Sequence, residues 1–184
     1  MFDPIEELLA IESIRNLKAR YLNACDLKDA DTLLDCFVDG GVEINYGHIG
    51  AFTTREDFVE LFLLAADHEH ILDMHQGGNA EIEIVSKVSA KARWNFDYRN
   101  INTQDESITL ASGIYHDEYR WVKGAWKISK TSVHYGTALH FSYEGGQVGG
   151  LFAGKSVAGV AHREFSSCLN DQGDQIDGDT SGYD

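Results

Sequence analysis

Residues 88–99 alternate without a break. Val88, Ala90, Ala92, Trp94, Phe96 and Tyr98 interleave with Ser89, Lys91, Arg93, Asn95, Asp97 and Arg99. A period of two is the mark of a strand with one buried face. Here one face is apolar and aromatic and the other is charged, which suits an antiparallel sheet covered on one side by helices. β character continues on both sides of this run. The pattern predicts strands near 70–77, 80–87, 88–101, 107–122 and 125–136, with Asn102–Glu106 a polar connection and Lys123-Gly124 a tight hairpin.

The covering helices come earlier in the chain. Asp3-Pro4 reads as an N-cap followed by a first-turn proline. Ile5, Leu8, Leu9, Ile14, Leu17, Tyr21, Ala24 and Cys25 then recur mostly at helical spacing, which predicts an amphipathic helix to about residue 27. Asp29 or Asp31 can cap a second short helix with Leu33, Leu34 and Phe37, ended by Asp39-Gly40-Gly41. Val42, Ile44 and Tyr46 share one face of a short strand, and Ala51–Thr53 is its returning partner. Thr53 or Thr54 caps a third helix that buries Phe58, Leu61, Phe62 and Ala65. Three helices followed by long antiparallel strands is an α+β order, and a strongly curved sheet over such helices makes a cone with an open mouth. The predicted domain is 1–143. Residues 144–184 form an extension that is Gly-rich at first, carries enough apolar residues over 151–169 to dock, and is expected to be disordered from Asn170.

Composition limits the partners. The 184 residues suit one domain and one core, and 43% are apolar. No apolar run approaches the roughly 18–20 residues that span a bilayer, and the N-terminus shows no signal-peptide pattern. Three cysteines, two of them at apolar helix positions, argue against a disulfide framework and for a reducing cytoplasm. The formal charge of −15, from 30 acids against 15 Lys+Arg, argues against nucleic acid or an anionic membrane as partner.

Few residues offer chemistry. Asp26 sits between Cys25 and Leu27 at the end of the first helix, where it can cap the turn or hold an imidazole. His75, followed by Gln76-Gly77-Gly78, supplies that imidazole on a strand whose glycines suggest a bulge or a close backbone approach. A carboxylate keeps one ring nitrogen protonated and stabilises the imidazolium formed when the other takes a proton. Tyr21, on the apolar stripe of the first helix, and Tyr46 can aim phenols into a cavity, or simply pack. Trp94, Phe96 and Tyr98 would make an aromatic wall for a flat apolar ligand, although core packing accounts for the same stripe. His68-Glu69-His70 has a metal-like composition at a spacing that matches no site, so no metal is expected there. The acids of 174–179 are not an EF-hand. With no phosphate-binding, dinucleotide, nucleophile-elbow or Cys-x-x-Cys motif, no cofactor is expected and proton transfer is the chemistry left.

Several of these stretches resemble the SnoaL-like proteins of the NTF2-like superfamily. They are Ile14–Tyr21, Cys25–Asp29 with Phe37, His75–Ile82, Ala92-Arg93-Trp94, and Tyr115–Tyr119 with Gly124–Ile128. The resemblance covers roughly residues 5–137 and implies the cone fold. It is nearest to the lyase branch that contains scytalone dehydratase, bile-acid 7α-dehydratase and hexachlorocyclohexane dehydrochlorinase. By that resemblance Asp26 and His75 take the positions of an Asp–His base, Tyr21 that of an assisting tyrosine, and Tyr46 approximately that of a strand tyrosine. Tyr98 stands where the bile-acid enzyme has an acid, and Cys25 where scytalone dehydratase has a tyrosine. The implied activity is a cofactor-independent lyase: a dehydratase-type elimination or a formaldehyde-releasing C–C cleavage on a small aromatic or polycyclic substrate. The alternatives are a ketosteroid-isomerase-like double-bond isomerase in the same cone and a non-enzymatic binding or assembly module. The resemblance also implies a homotrimer or homodimer.

Overall fold

The computed structural model describes residues 3–142 and the strand 148–153. Its first helix, α1 (Pro4–Leu27), starts where Asp3 accepts a hydrogen bond from the Ile5 N–H at 3.1 Å. It ends at Lys28, which holds a left-handed φ of 58°. Asp29 caps α2 (Ala30–Cys36) by accepting from the Thr32 N–H at 3.0 Å, and Thr54 caps α3 (Arg55–Ala66) through the Asp57 N–H at 3.2 Å. Each cap satisfies a backbone donor that has no partner within its helix.

The strands are β1 (Glu43–Asn45), β2 (Ala51–Phe52), β3 (Ile71–Ser86), β4 (Ser89–Asn102), β5 (Ser107–Val122), β6 (Ala125–Ser142) and β7 (Val148–Ala153). A short 3₁₀ turn, Gly47–Ile49, joins β1 to β2. The sheet order is β2-β1-β6-β5-β4-β3, antiparallel except for β1 beside β6. β7 pairs with β6 over Thr137–Phe141, while β1 pairs with it over Lys130–Ser132. The result is the expected α+β arrangement of three helices on a strongly curved, mainly antiparallel sheet.

Several sequence expectations are corrected. The runs 70–77 and 80–87 are one strand, interrupted by a register shift between Gly78 and Glu81. A bulge bends a strand without ending it, and its polar residues look like a turn in the sequence. β6 continues six residues past 136, and β7 forms in the Gly-rich first part of the extension. The expected disorder from Asn170 lies outside the described residues. Ile5, Leu8 and Leu9 are 65%, 66% and 64% exposed, so the buried stripe of α1 begins at Ala10. Leu61 and Ala65 of α3 are exposed too, because they border an open cavity.

Below that cavity, Ile14, Leu17, Leu33, Phe37, Val42, Ile44 and Ile128 fill the core where α1 and α2 meet β6. Between them runs a polar link. Lys18 and Asp117 pair at 2.9 Å with side chains 1% and 0% exposed. Asp117 Oδ2 also accepts from the Tyr119 hydroxyl at 2.8 Å, and that hydroxyl accepts from Trp94 Nε1 at 3.0 Å. The Lys18 ammonium lies 3.5 Å from the centroid of the Tyr115 ring.

Candidate active site

The cavity of about 380 Å³ opens between α3 and the inner face of the sheet. Tyr21 and Cys25 reach it from α1, Tyr46 and Ile49 from the β1 end, and Phe58, Leu61, Phe62, Ala65 and Ala66 from α3. The sheet contributes Ile71, Asp73, His75, Phe96, Tyr98, Asn100, Tyr115, Val133 and Tyr135. Most of this lining is apolar, and its polar groups gather in two places.

The first is the pairing of α1 with β3. Asp26 Oδ1 lies 2.7 Å from His75 Nδ1. The same carboxylate accepts from the His75 backbone N–H at 2.9 and 3.2 Å. Two of the roles open to Asp26 are thereby separated: Asp29 caps the next helix, and Asp26 holds the histidine. An ionised carboxylate only accepts, so Nδ1 carries the ring proton and Nε2 is left as an acceptor. The two side chains are 14% and 25% exposed, so the pair is shielded yet reachable.

Alongside stands a second carboxylate, Asp73. Its Oδ1 accepts from the Tyr98 hydroxyl at 2.6 Å and from Asn100 Nδ2 at 2.7 Å, and Lys28 Nζ pairs with Oδ2. Burial pulls this carboxyl up, but the hydrogen bonds of Asn100, Lys28 and Tyr98 outweigh it and hold it below the usual carboxylate value. Burial raises the Tyr98 phenol, and the Asp73 charge raises it further. The Tyr98 ring lies tilted against His75, with centroids 4.6 Å and planes 41° apart.

The second polar place is the floor. The Tyr21 and Tyr46 hydroxyls share a hydrogen bond of 2.8 Å, and Tyr46 reaches Thr131 Oγ1 at 3.5 Å. Burial raises both phenols, so they remain protonated. Cys25 beside them is pushed up by burial to about 12. Phe96 closes the wall between them, 5.0 Å from Tyr115 and 5.8 Å from Tyr135 by ring centroids.

The structure therefore brings His75, Asp26, Tyr21, Tyr46, Phe96 and Tyr98 to one cavity. Trp94 does not join them. It lies two residues deeper on β4, roughly 7 Å further down the narrowing cone, and its indole N–H is used by Tyr119. His68 contacts the Leu64 carbonyl oxygen at the end of α3 and stacks on His70. Among the described residues, no three His, Cys, Asp or Glu side chains converge as metal ligands. Asp73, which the sequence places only beside the metal-like His68-Glu69-His70 run, and Asn100, Lys28 and Lys18 were not expected at the site or beneath it. Asp73 shares inward parity with His75, and Asn100 with Tyr98, so the alternation already held that signal.

The fold and this cavity define a cone of the NTF2-like class. Within it the chain belongs to the SnoaL-like domain family, whose model matches residues 6–132. Solved structures agree in fold. A candidate scytalone dehydratase from Novosphingobium aromaticivorans DSM 12444 is 20% identical, with TM-score 0.67 over 74% of this chain and 90% of that one. A hexachlorocyclohexane dehydrochlorinase, LinA type 2, is 20% identical, with TM-score 0.65 over 74% and 91%. LinA type 3 from Novosphingobium barchaimii LL02 is 21% identical, with TM-score 0.63 over 72% and 90%.

Proposed function

We propose that this protein is a cofactor-independent lyase acting on a small, largely apolar ring compound. The observation that carries the reading is the 2.7 Å contact between His75 Nδ1 and Asp26 in the wall of an apolar cavity. Nε2 is the base. It takes a proton from carbon or from a hydroxyl, and Asp26 stabilises the imidazolium that results. In an elimination the C–H electron pair becomes the new double bond and the C–O bond breaks, with the His75 imidazolium returning the proton so that the oxygen leaves as water. In the C–C cleavage variant, the proton comes from a hydroxyl whose carbon leaves as formaldehyde, and the C–C electron pair becomes a new double bond as an oxygen departs from the adjacent carbon and takes up the proton held by His75. The Tyr21–Tyr46 phenol pair hydrogen-bonds to the departing or enolising oxygen. Phe96 and Tyr98 hold the ring. A dehydratase-type and a dehydrochlorinase relative on the same fold support the reaction class.

The phenol pair also suits a double-bond isomerase, which would stabilise an enolate and eliminate nothing. Product mass separates the two: loss of water or formaldehyde identifies a lyase, and unchanged mass identifies an isomerase. On a substrate found by that screen, His75→Ala and Asp26→Asn are each expected to lower kcat by about two to four powers of ten. Full turnover in both variants would refute the mechanism.

A further inference from the structure

The base leaves the neighbouring carboxylate unexplained. Asp73 is 1% exposed at its side chain and lies on the same inward face as His75. The register sets His75 opposite Tyr98, and Asp73 opposite Asn100. Lys28, two residues after Asp26, meets Asp73, two residues before His75, so two pairs side by side tie the end of α1 to β3. Lys28 keeps a left-handed backbone to do so, at a φ of 58° where glycine is the usual residue.

We propose that this unit makes Tyr98 a specificity-determining residue, one that recognises a hydroxyl or N–H on the edge of the ligand beside His75. The proposal rests on the cavity being the ligand site and extends the lyase reading. Asp73 already accepts from three donors, and at 2.6 Å the Tyr98 hydroxyl must be the donor of their bond. The single phenolic proton is thus committed, Asn100 also hydrogen-bonds the phenol, and what the Tyr98 oxygen can still offer the cavity is a lone pair only. His75 Nε2 offers the same. One wall of the cavity consequently presents two acceptors, and a ligand edge bearing only ether, carbonyl or halogen atoms would leave them unpaired. No Lys or Arg lines the cavity among the described residues, since Lys28 is turned to Asp73. The ligand class is therefore a neutral hydroxylated ring compound.

Two probes of nearly equal shape test this on the full chain near neutral pH: 2-naphthol and 2-methylnaphthalene, with affinities read by calorimetry. Tyr98→Phe is expected to weaken 2-naphthol about tenfold, the worth of one hydrogen bond, while changing 2-methylnaphthalene less than about twofold. Equal loss for both probes would mean that Tyr98 supplies shape alone, and would overturn the proposal. Loss of the 2-naphthol preference in His75→Ala or Tyr21→Phe but not in Tyr98→Phe would also overturn it, leaving the base reading intact. If the wild-type chain binds neither probe, the ring-compound class itself falls. The lyase reading fails separately, through turnover that survives loss of His75.

Discussion

Removing Lys18 should be among the most damaging single changes in this domain that touches no ligand. Lys18→Met keeps the length of the side chain and deletes its charge. Asp117 would then have only the Tyr119 hydroxyl as donor; its Oδ1 already has no partner among the described residues. Breaking a buried pair from one side costs about 3–5 kcal/mol, against a total of about 5–15 kcal/mol for a domain. At about 2–4 °C per kcal/mol for this chain length, the unfolding midpoint should fall by roughly 6–20 °C. The double variant Lys18→Met/Asp117→Asn has no buried charge and keeps an acceptor for Tyr119. Its remaining fault is a buried amide, at about 1–3 kcal/mol, so it should be more stable than Lys18→Met. The sign with pH follows from linkage. An orphaned buried carboxylate binds its proton more readily folded than unfolded, so the deficit of Lys18→Met is greatest near neutral pH and shrinks as pH falls. Urea unfolding of the two variants at pH 7 and pH 5 measures all three. A cost below about 1 kcal/mol for Lys18→Met, or a double variant less stable than the single one, would refute the claim that this pair is desolvated.

Three further outcomes follow from single contacts. A Cβ on Gly113 would lie 2.2 Å from the His134 carbonyl oxygen and 2.8 Å from Phe96, whereas one on Gly77 would meet only the end of Leu22, at 2.8 Å. Gly113→Ala should therefore cost about 1–3 kcal/mol and Gly77→Ala clearly less, as read by denaturant midpoints. Cys25, pushed up to about 12 by burial, should stay unalkylated by iodoacetamide in the native protein at pH 8 and react after unfolding, as scored by peptide mass. Asp73 is held below its ordinary value of 3.8, so its contribution is complete above that value and is lost as pH falls through the folded one. Asp73→Asn should accordingly flatten the acid limb of the stability–pH curve below about pH 4 and leave the slope near neutrality unchanged.

Much of this fold was legible because its longest elements obey a single period each. The alternation from Val88 to Tyr98 marked β4, and Asp3, Asp29 and Thr54 marked helix starts with side chains that do cap. The reading failed where one residue served two levels of structure. Gly77 and Gly78 suggested a bulge or a close backbone approach, yet the pattern still broke between 77 and 80, and only pairing with Phe96 and Asn95 shows that the strand runs through. Leu61 and Ala65 follow the helical stripe of Phe58 but end at a cavity, which periodicity cannot distinguish from a core. Trp94 and Phe96 are equivalent in the sequence; the narrowing of the cone assigns one to packing and the other to the site.

The charged residues show the same limit from the other side, and they suggest how to read such a chain. Lys18 stands on the stripe Ile14, Lys18, Tyr21, Cys25, and Asp117 alternates inward with Tyr115 and Tyr119. Each looks like a flaw in an apolar pattern, and each is the partner the other requires. Asp73, on the inward face with His75, answers Lys28 and Tyr98 in the same way. A charge that breaks an apolar period calls for a second such break elsewhere, because an unpaired buried ion costs about 3–5 kcal/mol, a large share of a domain's stability. Asp26 belongs to the same set, and what distinguishes it is the partner. Lys18 and Lys28 are cations that balance their carboxylates and have no acceptor left to offer a ligand. His75 can be held by Asp26 while neutral and still keep Nε2 free, so of these inward pairs it is the one able to take a proton and return it.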